Sequence, residues 1–190
     1  LNYKQLFNRI SLIISKPQEA WRLIQTEDKQ KMMTSFVYPL LALSGIAVFL
    51  GQLLGSDAEN AAGIFAGALT QACIVLVSLF GGLYLASFVA EQLFSRFLDV
   101  QIDRNTSLKI IGYGFTLTFL QTICIGLLPD FRFIVYILQF YALYILWEAI
   151  PIFLKVKEED RLKATVFLFS GVFLCPFVIE FIFGKLILLG

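Results

Sequence analysis

Apolar residues run along the chain in five long blocks, 36–54, 64–92, 108–128, 131–154 and 164–189, separated by short polar segments. The blocks are continuous rather than alternating, and too long for membrane-spanning strands of about ten residues. About 20 apolar residues carry a helix across the hydrocarbon core, where backbone groups find no water and must bond within their own segment. The pattern predicts an all-α polytopic membrane protein. Five transmembrane helices occupy residues 36–190, and an N-terminal segment, 1–35, precedes them. The second block lies within Ala61 to Phe94. As one helix that stretch is about 50 Å long, more than the hydrocarbon needs, so it is expected to project near Glu91, Gln92 and Arg96. Asn105, Thr106 and Ser107 offer an N-cap for the third helix.

The first 35 residues carry a different pattern. Leu6, Ile10, Ile13 and Ile14 fall at helical spacing, and Trp21 and Ile24 share a face that excludes Lys16, Glu19 and Arg22. Ser15 reads as an N-cap with Gln18 three residues on, and Pro17 suits a first turn. The spacing predicts an amphipathic helical segment over residues 3–30, bent near Pro17. Pro17 and Trp21 form its interfacial anchor at the cytoplasmic surface, with the indole among headgroups. The alternative is that this face packs against the inner ends of the spans.

Composition agrees with lipid as solvent: 58% of residues are hydrophobic, 15% charged, and twenty are phenylalanine. So small a globule could not bury that excess. The net charge of +1 points to no nucleic acid. The absence of histidine excludes histidine-based acid–base chemistry and histidine-ligated metal or haem. Cys73, Cys124 and Cys175 are far apart within apolar runs and read as small buried hydrophobes, not a metal or redox site. No cofactor is implied, and no nucleophile–base pair or phosphate loop is present. The first apolar cluster, LIIS, is short and no small-residue cleavage site follows, so no cleavable signal peptide is expected, although the chain opens on Leu1.

Basic residues are richer on alternate sides. Lys4, Arg9, Lys16, Arg22, Lys29 and Lys31 precede the first block, and the loop GSDAEN after it has none. Arg96, Arg104 and Lys109 surround the second loop, the third has Arg132 alone, and Lys155, Lys157, Arg161 and Lys163 fill the fourth. The positive-inside rule then predicts a cytoplasmic N-terminus and an outer C-terminus.

KPQEAW, with Pro17 followed four residues later by Trp21, precedes five spans. TSLKIIGYGFTLTFL, residues 106–120, has small, aromatic and hydroxyl residues at the start of the third span, and FYALYILWEAIPIFLKV, residues 140–156, is an aromatic-rich fourth span with its exit. In these stretches the chain resembles the bacterial branch of the Yip domain family, the Ypt/Rab-interacting proteins, over nearly its whole length. The family pattern places a proline after the threonine of the third span. Here Phe119 follows Thr118, so the proline kink does not carry over. The resemblance implies a bacterial cytoplasmic (inner) membrane protein without a settled activity. Eukaryotic members are linked to vesicle traffic and membrane shaping, and several engage Rab-type GTPases through a longer N-terminal region. With about 35 residues there, GTPase binding is not supported for this chain.

Acids inside a membrane are costly and are functional candidates by default. Glu91 lies near the cytoplasmic end of its span and reads as a solvated charge. Glu148 lies about 9 Å from the inner end of the fourth span. Tyr113 and Thr116 reach a similar depth, and Pro151 frees a carbonyl near Trp147. A small cytoplasmic-side polar cavity is one reading; a single acid held by Tyr113 or Lys109 is the other. Glu180 is deeper. Gln71, Gln121 and Gln139 fall at comparable depth, and a neutral Glu180 facing the bundle and bonded to at least one of them is expected. The pairs Gly51/Gly55 and Gly63/Gly67 suggest close helix contact around the first outer loop.

The expected function is non-enzymatic, a membrane-organising or adaptor role through helix and lipid contacts. The alternative is a small solute or ion transporter or channel using Glu148 and Glu180. Expected partners are the lipid bilayer and either a second copy of the chain or another membrane protein.

Overall fold

The computed structural model describes residues 3–55 and 61–189, with side chains through Lys185; residues 56–60 of the loop GSDAEN lie outside it. Among the described residues the fold is helical without strands. Helices α1 (Tyr3–Ser15) and α2 (Pro17–Gln25) form the N-terminal pair. Five segments long and apolar enough to cross a membrane follow: Lys29–Leu54, Ala61–Phe97, Arg104–Leu127, Pro129–Phe153 and Glu158–Lys185. The first is α3 and the second α4. The third is broken into α5 (Arg104–Gly114) and α6 (Thr116–Leu127), and the fourth into α7 (Arg132–Gln139) and α8 (Tyr141–Phe153). The last helix, α9, spans Arg161–Leu189.

Local chemistry sets the helix ends. α2 starts on Pro17, but its N-cap is Lys16, whose side chain makes no cap bond. The cap expected from Ser15 is not made, because its hydroxyl donates back to the Ser11 carbonyl at 2.6 Å. The third span is capped by Asp103, one turn ahead of the expected Asn105–Ser107. Its carboxylate accepts the Asn105 and Thr106 amides at 3.2 and 3.0 Å. α4 is one 37-residue helix, as its length pattern predicts. It closes where Asp99 takes φ 53° and the Val100 amide bonds the Phe94 carbonyl. α3 begins at Lys29, ahead of its apolar block, and carries a π-helical turn at Met33–Val37 just before Pro39.

The third span bends without a proline. Gly112 and Gly114 flank Tyr113, and Thr116 Oγ1 takes the Tyr113 carbonyl at 2.5 Å, which frees the chain to turn at Phe115. In the fourth span Pro151 cannot bond the Trp147 carbonyl, and Arg161 Nη2 donates to it at 3.1 Å while its guanidinium stacks 4.2 Å from the Trp147 ring.

The half of the bundle nearer the N-terminal pair is filled by Phe36, Phe94, Phe115, Phe119, Leu146 and Leu168, all essentially inaccessible. α9 crosses α4 where Gly82 meets Pro176, and a Cβ on Gly82 would lie 2.8 Å from the Pro176 Cα. The glycine expectation needs correction. Gly51 abuts Gly126 of α6, whose oxygen would be 1.6 Å from an added Cβ, whereas a Cβ on Gly67 meets open space. Gly51 thus makes its close approach to α6, while α3 and α4 meet beside the first loop through Phe49 and Phe65, whose ring centroids are 5.5 Å apart. Cysteine placement also differs: Cys175 is buried, but Cys73 and Cys124 are on the exposed flank, where a thiol sits in lipid at little cost.

Candidate functional site

At one end of the spans, the N-terminal pair is bound into the bundle. α2 runs beside α8 in the same direction. Tyr141 Oη donates to the Ile14 carbonyl at 2.9 Å, Trp21 Nε1 to the Ile145 carbonyl at 2.8 Å, and Gln25 Nε2 to the Ile152 carbonyl at 2.9 Å. Trp21 is completely buried and meets Tyr113 and Phe153 edge to face. This corrects the interfacial-anchor reading. The indole faces protein, its N–H spent on a carbonyl, and Pro17 is buried at the start of the same helix. The apolar side chains that α1 and α2 leave exposed are Tyr3, Phe7 and Leu23.

A buried ion cluster closes the same junction. Glu27, 9% exposed, takes Arg9 through two guanidinium nitrogens at 2.7 and 3.2 Å. The Tyr113 hydroxyl donates to the same carboxylate and accepts from Arg9 Nη1 at 3.3 Å. Lys31 Nζ lies 3.5 Å away, and Lys109 Nζ donates to the Gln25 and Glu27 carbonyls at 3.1 and 3.3 Å. Burial by itself pushes the Glu27 carboxyl up; the Tyr113 hydroxyl, Arg9 and Lys31 outweigh it and hold the group below the ordinary carboxylate range. Glu27 and Arg9 are the residues that sequence reasoning misses. In the sequence Arg9 enters only among the basic residues before the first block and Glu27 is not singled out; the Glu27–Lys31 spacing is the local hint of a pair.

Glu148 therefore does not receive the partners expected for it. Tyr113 and Lys109 serve Glu27 and its neighbours, and the buried Thr116 hydroxyl serves its own helix. Glu148 is half-buried on the stretch of α8 that α2 covers and makes no hydrogen bond or ion pair with a described residue. Glu91, also half-buried, stands apart near the C-terminal end of α4. These four residues do not form one cavity.

The half of the bundle away from the N-terminal pair holds a cavity of about 380 Å³, and here the predicted polar layer does come together: Gln71, Gln121, Gln139 and Glu180 all line it. They arrive from α4, α6, α7 and α9. The two breaks, at Phe115 and Phe140, precede Thr118 and follow Gln139, and these side chains join at 2.9 Å, Gln139 Nε2 donating to Thr118 Oγ1. The expected bond from a glutamine to Glu180 is absent: the Gln139 amide bonds Thr118, and neither Gln71 nor Gln121 donates to the carboxyl group. Gln139 is 2% exposed, and its Oε1 is buried without a donor. Below the cavity Leu79 and Val172 form the floor, above the packed Leu146 and Phe119.

Five long apolar helices and an N-terminal pair bonded to one end of them define a polytopic α-helical membrane protein. The family model of the Yip1 domain matches residues 11–179, and the chain belongs to that family. No curated protein and no solved structure matches it.

Proposed function

We propose that this protein is a non-enzymatic organiser or adaptor of the bacterial cytoplasmic membrane, acting through helix and lipid contacts, with its N-terminus cytoplasmic and its C-terminus outside. The observation that carries this reading is the junction of α1 and α2 with α5 and α8. Bonds from Trp21, Gln25, Tyr141 and the Glu27 cluster fix an amphipathic element rigidly to the bundle. A rigid element with Tyr3, Phe7 and Leu23 outward transmits contact with lipid or a second membrane protein to the spans. The basic segments at alternate ends support the orientation.

A second reading, passage of a small solute or ion through Glu148 and Glu180, is favoured by the cavity at Glu180. The packed layer of Leu146 and Phe119 weighs against it. Reconstitution into liposomes tests the two. Under the organising role, vesicle shape or clustering changes with protein density and a pH or solute gradient dissipates no faster than in protein-free vesicles. Gradient-driven flux that Glu180→Gln abolishes in a folded protein overturns this in favour of transport.

A further inference from the structure

The outer cavity offers acceptors that lack donors. Gln139 Oε1 is buried and unpartnered, its amide nitrogen already given to Thr118. Glu180, across the cavity on α9, receives no hydrogen bond or ion pair from any described residue. An amide oxygen buried without a donor and a carboxyl group within an apolar span are both costly, and a cationic group carrying several N–H bonds relieves either. A cation beside Glu180 favours the ionised carboxyl, and that negative charge sets the sign of the group. Tyr136 adds an aromatic wall, a surface that suits an ammonium. Arg132 lines the same cavity, one end of α7 away from Gln139, and makes no ion pair with a described acid. The length of α7 between them is about 10 Å. That is within the combined reach of an arginine side chain and a two-carbon spacer. The cavity thus pairs an ammonium site inside with an anion site toward its outer end.

Its side opening narrows the occupant further. An open groove on the flank shares Gln71, Tyr136, Phe177 and Glu180 with the cavity and continues past Phe181. Phe177 and Phe181 are 42% and 64% exposed on the flank of the bundle, where lipid replaces water. A ligand seated at Glu180 can therefore extend apolar chains sideways into the bilayer. We propose that the cavity binds the phosphoethanolamine headgroup of a membrane lipid, its primary ammonium on Glu180 and Gln139 and its phosphate met by Arg132. This deepens the lipid-contact reading above by naming the lipid, and it does not depend on vesicle shaping.

The test uses the full chain in detergent and native mass spectrometry of lipid retention. Wild-type protein is titrated with phosphatidylethanolamine, its N-methyl and N,N-dimethyl forms, phosphatidylcholine and phosphatidylglycerol of the same acyl chains. Affinity is expected to fall stepwise with methylation, at least tenfold from phosphatidylethanolamine to phosphatidylcholine, as N–H donors are lost. Glu180→Gln is expected to remove most of that preference while its lipid-free melting temperature stays near wild type. A flat methylation series in the wild type overturns the proposal, whatever the variant does, and leaves the vesicle-shape result standing. A preference undiminished in folded Glu180→Gln overturns it too. Free O-phosphoethanolamine is the remaining arm. Protection against melting equal to that of the lipid keeps the ammonium–phosphate chemistry and overturns the lipid source; no protection supports the lipid.

Discussion

Glu27 joins three parts of the sequence that have no local reason to meet. Arg9 comes from α1, Tyr113 from the third span and Lys31 from the start of α3, and one carboxylate binds all three. Removing a single member leaves buried charge without its partner, which is why such clusters are sensitive to protonation. The sign follows from the lowered carboxyl. The cluster contributes fully above the ordinary carboxyl value of 4.5, and the contribution is lost as pH falls below that value through the folded one. Acidification below about pH 4.5 is therefore expected to loosen α1 and α2 before the bundle. Trp21 fluorescence in a Trp147→Phe background reports it, since Trp21 changes from fully buried to wet. Asp103, also held low, chiefly by the Thr106 amide, loses its capping charge on acidification, so a control is needed. Glu27→Gln should place Trp21 in the loosened state at neutral pH, at a cost of about 2 kcal/mol, and flatten its response to acid. A Trp21 emission that is pH-independent in the parent, with α1 and α2 still docked, would reject the coupling.

Among the elements, the two broken spans matter most. Their breaks are adjacent to the one side-chain bond, Gln139 to Thr118, that ties α7 to α6 at the cavity. The apolar blocks, the long α4 and the bend at Pro17 were legible because each rests on local composition. The polar layer was legible in part, because glutamines and one glutamate in apolar runs are conspicuous. The break at Phe115 was not, because it comes from two glycines and a threonine back-bond rather than a proline. The Trp21 contact was not either: an amphipathic face looks the same whether protein or headgroups cover it. Glycine pairs mislead in the same way, since spacing names a surface and not its partner. Gly51 and Gly67 separate the cases. Gly51→Ala, against the Gly126 backbone, should destabilise by about 1–3 kcal/mol, and Gly67→Ala should be neutral or stabilise by about 0.5–1 kcal/mol through helix propensity. Unfolding in a fixed detergent checks both; equal effects would contradict the α3–α6 contact.

At the scale of the whole molecule, the placement of α2 beside α8 bears on the bilayer itself. The outward side of α2 carries Gln18, Glu19 and Arg22, all exposed, with Lys16 at its N-cap paired to Glu19 in the open. Such a surface does not lie in hydrocarbon. The elbow between α1 and α2 is level with Tyr141, since that hydroxyl bonds the Ile14 carbonyl. On this side, then, acyl chains have only the stretch from Arg132 to Tyr144 to cover, about 18 Å of helix against a core of about 30 Å. On the opposite side α4 alone is about 55 Å long. One face matches a thin membrane and the other tolerates a thick one, so the protein sits in lipid as a wedge in thickness, thinning the bilayer locally along α7 and α8. Its melting temperature should therefore be higher in nanodiscs of fourteen-carbon than of eighteen-carbon lipid at matched headgroup. Equal or reversed values would mean that hydrocarbon reaches past Tyr144. In a cell membrane of uneven thickness, that mismatch gives the chain a preferred address that needs no receptor: regions where the bilayer is already thin, and neighbours whose own short faces relieve the same strain.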